Sequence, residues 1–402
     1  MTAVVVVGWG VAGTAAALAA RESGAEVTII DGGTGASTLA PGALDLAPWE
    51  SARRAGVEDV ELAARDVLDA LDAFAVRPSP ALLATTAGIV RPARGADRAL
   101  LDLASLPPGV VVVPRADHAG WDASALARSW SHARAARERG LEFRAVDAQI
   151  TRMLDERLLV DADLAARHDD PARVAWLAER LIGAVREGVP VVAVIVPPWL
   201  GVERAESAAL SLAVGVPCGE ALGMPAGPSG LRFERARARA LAAREITTHR
   251  GRVTQIAHAG TWHLSFESGD SMSADRVVLA TGGLIGGGIA YTPSAAILSG
   301  ALPPHPRATF SSGVVGPLTL GAHGHALGLP GSLFGETPES LAWPFTRDPM
   351  LERIGVLASA DGRVASSPAG LFAAGDVLAD RPRTWLAALT SGARAGHAAA
   401  RA

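Results

Sequence analysis

The chain has 402 residues, 49% of them hydrophobic, and a formal net charge of −4; that is enough for two domains or one elaborate α/β unit, and it leaves no basic footprint for nucleic acid. All 37 basic residues are arginine and there is no asparagine, which excludes a Schiff-base lysine, a Walker-type Gly-Lys-Ser/Thr loop and an N-glycosylation site. The one cysteine, Cys218, excludes an intrachain disulfide, a thiolate zinc site and an iron–sulfur cluster held by this chain alone.

Ala3 to Val7 is a β-branched run suited to a strand buried on both faces. Gly8-Trp9-Gly10-Val11-Ala12-Gly13 follows, then an alanine-rich helix that Gly24 is placed to stop. A second strand ends at Asp31. Strand, glycine turn, helix, strand and acid within about thirty residues form the dinucleotide fingerprint. Gly8 permits the turn, Gly10 lets the backbone approach a pyrophosphate, and Gly13 lets helix and strand pack closely. The N–H groups of Val11, Ala12 and Gly13 point toward the phosphates, and Asp31, with Gly32 behind it, is placed to accept from a ribose hydroxyl.

Gly32 to Glu50 reads as a loop of small and hydroxyl residues lying where a ligand would, so Ser37, Thr38 and Gly42 are candidate cofactor contacts. A helix is predicted from Glu50 to Val76, closed by Pro78 and Pro80. A strand is predicted at Gly109–Pro114, helices at Ala123–Arg139 and Pro171–Glu187, a strand through Val189–Pro198, and a helix leading to Gly215. The alternation suggests an inserted domain, with its arginines and carboxylates on solvated faces. Leu231 to Glu245 reads as an arginine-rich surface helix, or a docking helix for a partner subunit. From residue 252 three short strands are expected, ending at Val277-Val278-Leu279 and the small residues Ala280-Thr281-Gly282-Gly283, which let a backbone lie close to a ligand. Near the end, Leu371-Phe372-Ala373-Ala374 forms a strand. Gly375 and Asp376 follow, the aspartate placed for a ribityl hydroxyl, and then a helix of small residues.

The order of these three pieces, GxGxxG at the start, ATGG in the later half and GLFAAGD near the end, resembles the two-dinucleotide-binding-domain flavoproteins, which bind FAD. Over most of its length the chain is also similar to the B subunits of anaerobic glycerol-3-phosphate dehydrogenase. The similarity runs through GWGVAG, ASTLAPGALDLAP, PPWLG, PSGLRFERARARAL, ADRVVLATGGLIGGGI and GVLASADGRVASSPAGLFAAGDV, and thins between residues 50 and 105. It implies a three-subunit membrane-associated system. An A-type flavoprotein subunit oxidises the substrate, a C-type iron–sulfur subunit meets the quinone, and the B chain is a flavoprotein partner described as using FMN. The motifs instead ask for FAD, because the fingerprint with Asp31 needs an adenosine ribose.

The fold expected is α/β, with a Rossmann-type FAD-binding domain (a mixed or parallel sheet with helices on both faces) made of 1–75, 226–290 and 350–402. A second α/β domain of 76–225 and 291–349 is inserted into it. The cofactor expected is FAD, with FMN the alternative. The chain begins on a strand without a charged leader, and its apolar runs are too short to span a bilayer. It is expected in the cytoplasm or peripheral on the inner face of the cell membrane, reaching the membrane only through a partner. Alternatives are a stand-alone FAD oxidoreductase of fumarate-reductase or amine-oxidase type, and a non-catalytic assembly subunit. Flavin oxidation of an alcohol needs a proton acceptor and, for a phosphate, a cation. The candidates are His305, Arg307, His323 and His325. The last two sit at i, i+2 without a nearby acid or thiol, so no metal site is expected.

Overall fold

The computed structural model describes residues 2–44, 60–186, 190–293, 308–321 and 353–402. They divide into two compact units, Met1–Ala36 with Leu241–Ala402, and Ser37–Ala240. The second unit is therefore one continuous insertion. The segments 37–75 and 226–240, expected with the nucleotide-binding domain, lie inside it. The reason is local: Ala43–Leu44 and Phe74–Ala84 both pair with Val90–Asp97 in an antiparallel sheet of their own.

The first unit is built on five strands, β1 (Ala3–Val7), β2 (Glu26–Asp31), β3 (Thr247–Arg250), β4 (Arg276–Leu279) and β5 (Leu371–Ala373). All pair in parallel, in the spatial order β3-β2-β1-β4-β5. This is the order of a nucleotide-binding doubly wound sheet. Val7 is level with both Ile30 and Leu279, and Leu279 with Ala373, so four carboxyl ends lie side by side. Alternate residues serve opposite faces. Val5, Val7, Val277 and Leu279 join a core with Trp262, Leu264, Phe266 and Phe310. Trp262 and Leu264 come from an antiparallel meander, Val253–Ala259, Thr261–Phe266 and Ser271–Ala274. Val4 and Val6 are as deeply buried on the other face, where α1 (Val11–Glu22) packs on β1 and α2 (Trp385–Arg401) on β4 and β5.

Those two helices pack backbone against backbone. A Cβ on Gly392 would meet the Ala12 carbonyl, and one on Gly396 the Ala16 carbonyl. The small residues of both segments are thus a packing requirement as well as a composition bias.

The second unit has a four-stranded parallel sheet in the order Leu141–Val146, Gly109–Pro114, Val191–Val196, Cys218–Glu220. The strand at Phe74–Ala84 replaces the end of the predicted Glu50–Val76 helix, which runs only over Val60–Leu71 among the described residues. Pro78 and Pro80 do not close a helix. They fall where the pairing register shifts between Val76 and Ala81, a bulge where a missing N–H costs nothing. The helix predicted over Ala123–Arg139 is two, broken at the extended Ala133. Among the described residues, no helix is long and apolar enough to cross a membrane.

Candidate cofactor site

The site in the first unit is built at the carboxyl ends of β1, β2, β4 and β5. Val7 gives way to Gly8, whose φ of +105° is open to glycine and strained for other residues. The Gly8 N–H donates to the Ile30 carbonyl at 3.1 Å, tying the turn to β2. A Cβ on Gly8 would strike the Ala280 carbonyl, and one on Gly13 the Gly8 carbonyl. Strand, turn and helix therefore close only with glycine at both places. Gly10 stands at the N-cap of α1, and no side chain caps that end. Asp31 ends β2 one residue past Ile30, and its Oδ1 accepts the Gly33 N–H at 2.9 Å, which turns the chain at Gly32.

The later motifs arrive at the same edge. The Ala280 N–H donates to the Val7 carbonyl at 2.8 Å, and the Ala374 N–H to that of Leu279 at 2.8 Å. A Cβ on Gly375 would lie 2.6 Å from Ala12 Cβ, and one on Gly283, next to Thr281 and Gly282, 3.1 Å from Asp376 Cβ. Ser391 Oγ accepts the Gly375 N–H at 3.0 Å. Asp376 is half-buried. Burial pushes its carboxyl above the usual range, and the Arg383 guanidinium, which donates to the Asp376 carbonyl, offsets part of that. Gly8, Ala12, Gly13, Ala280, Gly375 and Asp376 are thus one constellation, with Asp31 on the neighbouring strand. Glycines pressed against backbone, beside an uncapped helix start and a carboxylate at each side, form a cradle that fits a pyrophosphate between two hydroxyl-bearing chains.

Ser37, Thr38 and Gly42 lie in the second unit. There the segment is seated within that unit: the Asp97 N–H donates to the Gly42 carbonyl at 2.7 Å, and a Cβ on Gly230 would strike the Thr38 carbonyl. His305, Arg307, His323 and His325 lie outside the described residues, as do Asp45 to Glu50, the end of the stretch predicted as a loop.

A second constellation, inside Ser37–Ala240, has no counterpart in the sequence reading. The helix Pro228–Ala243 was expected at the surface, yet Arg232 and Arg237 are buried on it. Arg232 Nε donates to Asp97 Oδ2 at 2.8 Å, Nη2 to Glu220 Oε2 at 2.6 Å and to Ser229 Oγ at 3.1 Å, and Nη1 to the Gly201 carbonyl at 2.6 Å. Glu220 Oε1 accepts the Leu200 N–H at 2.6 Å. Arg173 and Glu156 form another buried pair at 2.8 Å where solvated faces were expected. Near them His168 is buried, its Nδ1 hydrogen-bonded to the Leu164 carbonyl at 2.8 Å and its Nε2 without a hydrogen-bond partner. Cys218 is buried, and burial pushes its thiol up to about 12, so it is unreactive at neutral pH.

Residues 3–159 match the FAD binding domain family. With the nucleotide-type sheet and its glycine cradle, this match defines the class as an FAD-binding protein: the cofactor is FAD. No curated protein matches the chain in sequence. Among solved structures it is similar to the open conformation of a flavocytochrome c3 fumarate reductase, at 13% identity and a TM-score of 0.39 over 100% of this chain and 78% of that one. It is also similar to the 3-ketosteroid delta1-dehydrogenase from Sterolibacterium denitrificans, at 12% identity and a TM-score of 0.38 over 100% of both. A third is the Diels-Alderase PyrE3 of pyrroindomycin biosynthesis, at 10% identity and a TM-score of 0.27 over 73% of this chain, which spans 36% of that enzyme.

Proposed function

We propose that the chain is the B-type flavoprotein subunit of a glycerol-3-phosphate:quinone dehydrogenase. In this reading an A-type flavoprotein subunit oxidises glycerol 3-phosphate, this chain accepts the electrons, and a C-type iron–sulfur subunit carries them to a membrane quinone. The complex sits on the cytoplasmic face, held to the membrane by its partner.

The observation that supports the reading is where the shared motifs fall. GWGVAG, LATGG and AAGD meet at one sheet edge, while ASTLAPG, PPWLG and PSGLRFE meet around one buried guanidinium. Bound FAD supplies the electron-accepting ring. The chain supplies the holding: Asp31 for the adenosine ribose, Gly8 to Gly13 for the pyrophosphate, Asp376 for the ribityl chain. Its work is to bind and orient a flavin, and the proton acceptor for the alcohol belongs to the A-type subunit.

The test is to identify the heat-released cofactor, then to add glycerol 3-phosphate to the chain alone and to its complex with A- and C-type subunits. FAD should be released, and its absorbance should bleach only in the complex. Bleaching of the isolated chain would move the oxidation onto this chain. No bleaching in either would remove the substrate.

A further inference from the structure

Three stretches far apart in sequence close on Arg232, and the sum of their charges does not cancel. Asp97 and Glu220 bring two carboxyls to one guanidinium, with side-chain exposures of 2% or less throughout. The same cluster carries the backbone of the Ser37–Leu44 segment. The Asp97 N–H holds the Gly42 carbonyl, and a Cβ on Gly42 would lie 2.5 Å from the Ser229 hydroxyl that Arg232 also holds. A buried ion pair with one charge left over is costly, so either a proton stays in the cluster or the cluster opens.

We propose that Asp97, Glu220 and Arg232 form a proton-dependent latch on the Ser37–Leu44 segment. With Glu220 protonated the cluster is neutral and the segment is held. When Glu220 gives its carboxyl proton to water, one uncompensated negative charge remains away from solvent, and the segment is released as the cluster opens to hydrate it.

Glu220 is the carboxyl that holds the proton. Burial pushes it up to about 7, with the Arg232 charge opposing and the Asp97 charge adding to the rise. The groups facing it are Arg232 from the Pro228–Ala243 helix, Asp97 from the end of the Val90–Asp97 strand, and the Leu200 N–H. The direction follows from linkage. The closed latch binds one proton more than the open form between the ordinary carboxylate range and about 7. Opening therefore gains up to about tenfold per pH unit in that window and levels off above it.

The experiment is amide hydrogen exchange on the full chain, following Thr38 to Leu44 and correcting for the intrinsic rate. Protection should fall on the order of 100-fold between about pH 5 and about pH 7 and then stay level. In Glu220→Gln, which keeps an acceptor for the Leu200 N–H, the segment should stay protected across the range. A second measurement needs no variant: infrared spectra of the wild-type chain should show a buried protonated carboxyl band that fades over the same window. Flat protection in the wild type, the same fall in Glu220→Gln, or absence of that band would each overturn the proposal.

Discussion

At Gly13 the chain has no room for one more carbon, since a Cβ there would overlap the Gly8 carbonyl. Gly13→Ala must push α1 off β1 at the point where a pyrophosphate would lie. The expected outcome is loss of bound flavin with a stability cost of about 1–3 kcal/mol, read from cofactor content after purification and from thermal unfolding. Asp31 permits a sharper test. If it holds the adenosine ribose, Asp31→Ala should weaken FAD by about 10–100-fold, the worth of hydrogen bonds to a charged group, and leave FMN affinity unchanged. Titration of the flavin-free chain with each flavin separates the two. These residues were legible in sequence because their partners are near neighbours or strand ends whose order the motifs give. Arg232 was not, because one carboxylate partner lies 135 residues away and the other 12. Its surroundings in sequence, Arg235, Arg237 and Arg239 among them, read as a solvated face.

The α1–α2 pair shows what one element demands of another. Gly392 and Gly396 let the C-terminal helix rest on the carbonyls of Ala12 and Ala16, and His397 Nδ1 meets Ser23 Oγ at 2.9 Å. Gly396→Leu should force the helices apart and lower stability by about 1–3 kcal/mol, seen as a lower Tm, and should loosen flavin binding because α1 carries the fingerprint. At this scale the sequence served well where periodicity and caps agreed. The strands β1 and β2 and the C-terminal helix lie where the pattern put them, to within a few residues. It failed at Phe74–Ala84, where alanine, leucine and two prolines gave no strand alternation, and the strand exists because Val90–Asp97 pairs with it. Tertiary pairing overrode propensity there.

For the whole chain, acid and base act on the inserted unit in opposite senses. His168 is buried, and burial pushes it down to about 4 from 6.5. The unfolded chain therefore takes up a proton as pH falls through 6.5 that the folded chain refuses until about 4. Acidification across that window should cost on the order of 3 kcal/mol. Glu220, held protonated up to about 7, contributes stability that is present at low pH and lost as pH rises toward that value. The two slopes oppose, so urea unfolding of the wild type should vary little between about pH 5 and about pH 6.5. His168→Leu should instead lose stability as pH rises through that range, and Glu220→Gln should gain it. The insertion itself sets a schedule on the ribosome. Residues 37–240 are contiguous and cluster as a compact unit of their own. The opening strand pair β1–β2 must wait for β3, β4 and β5, the first of which begins at Thr247. At about 5–20 residues per second the β2 edge waits roughly 10–40 s for β3, and the valine-rich β1 edge stands open for roughly 10–50 s until β4 emerges at Arg276. The nested domain is finished before the domain that encloses it, and the interval between them is when this chain has most need of a chaperone.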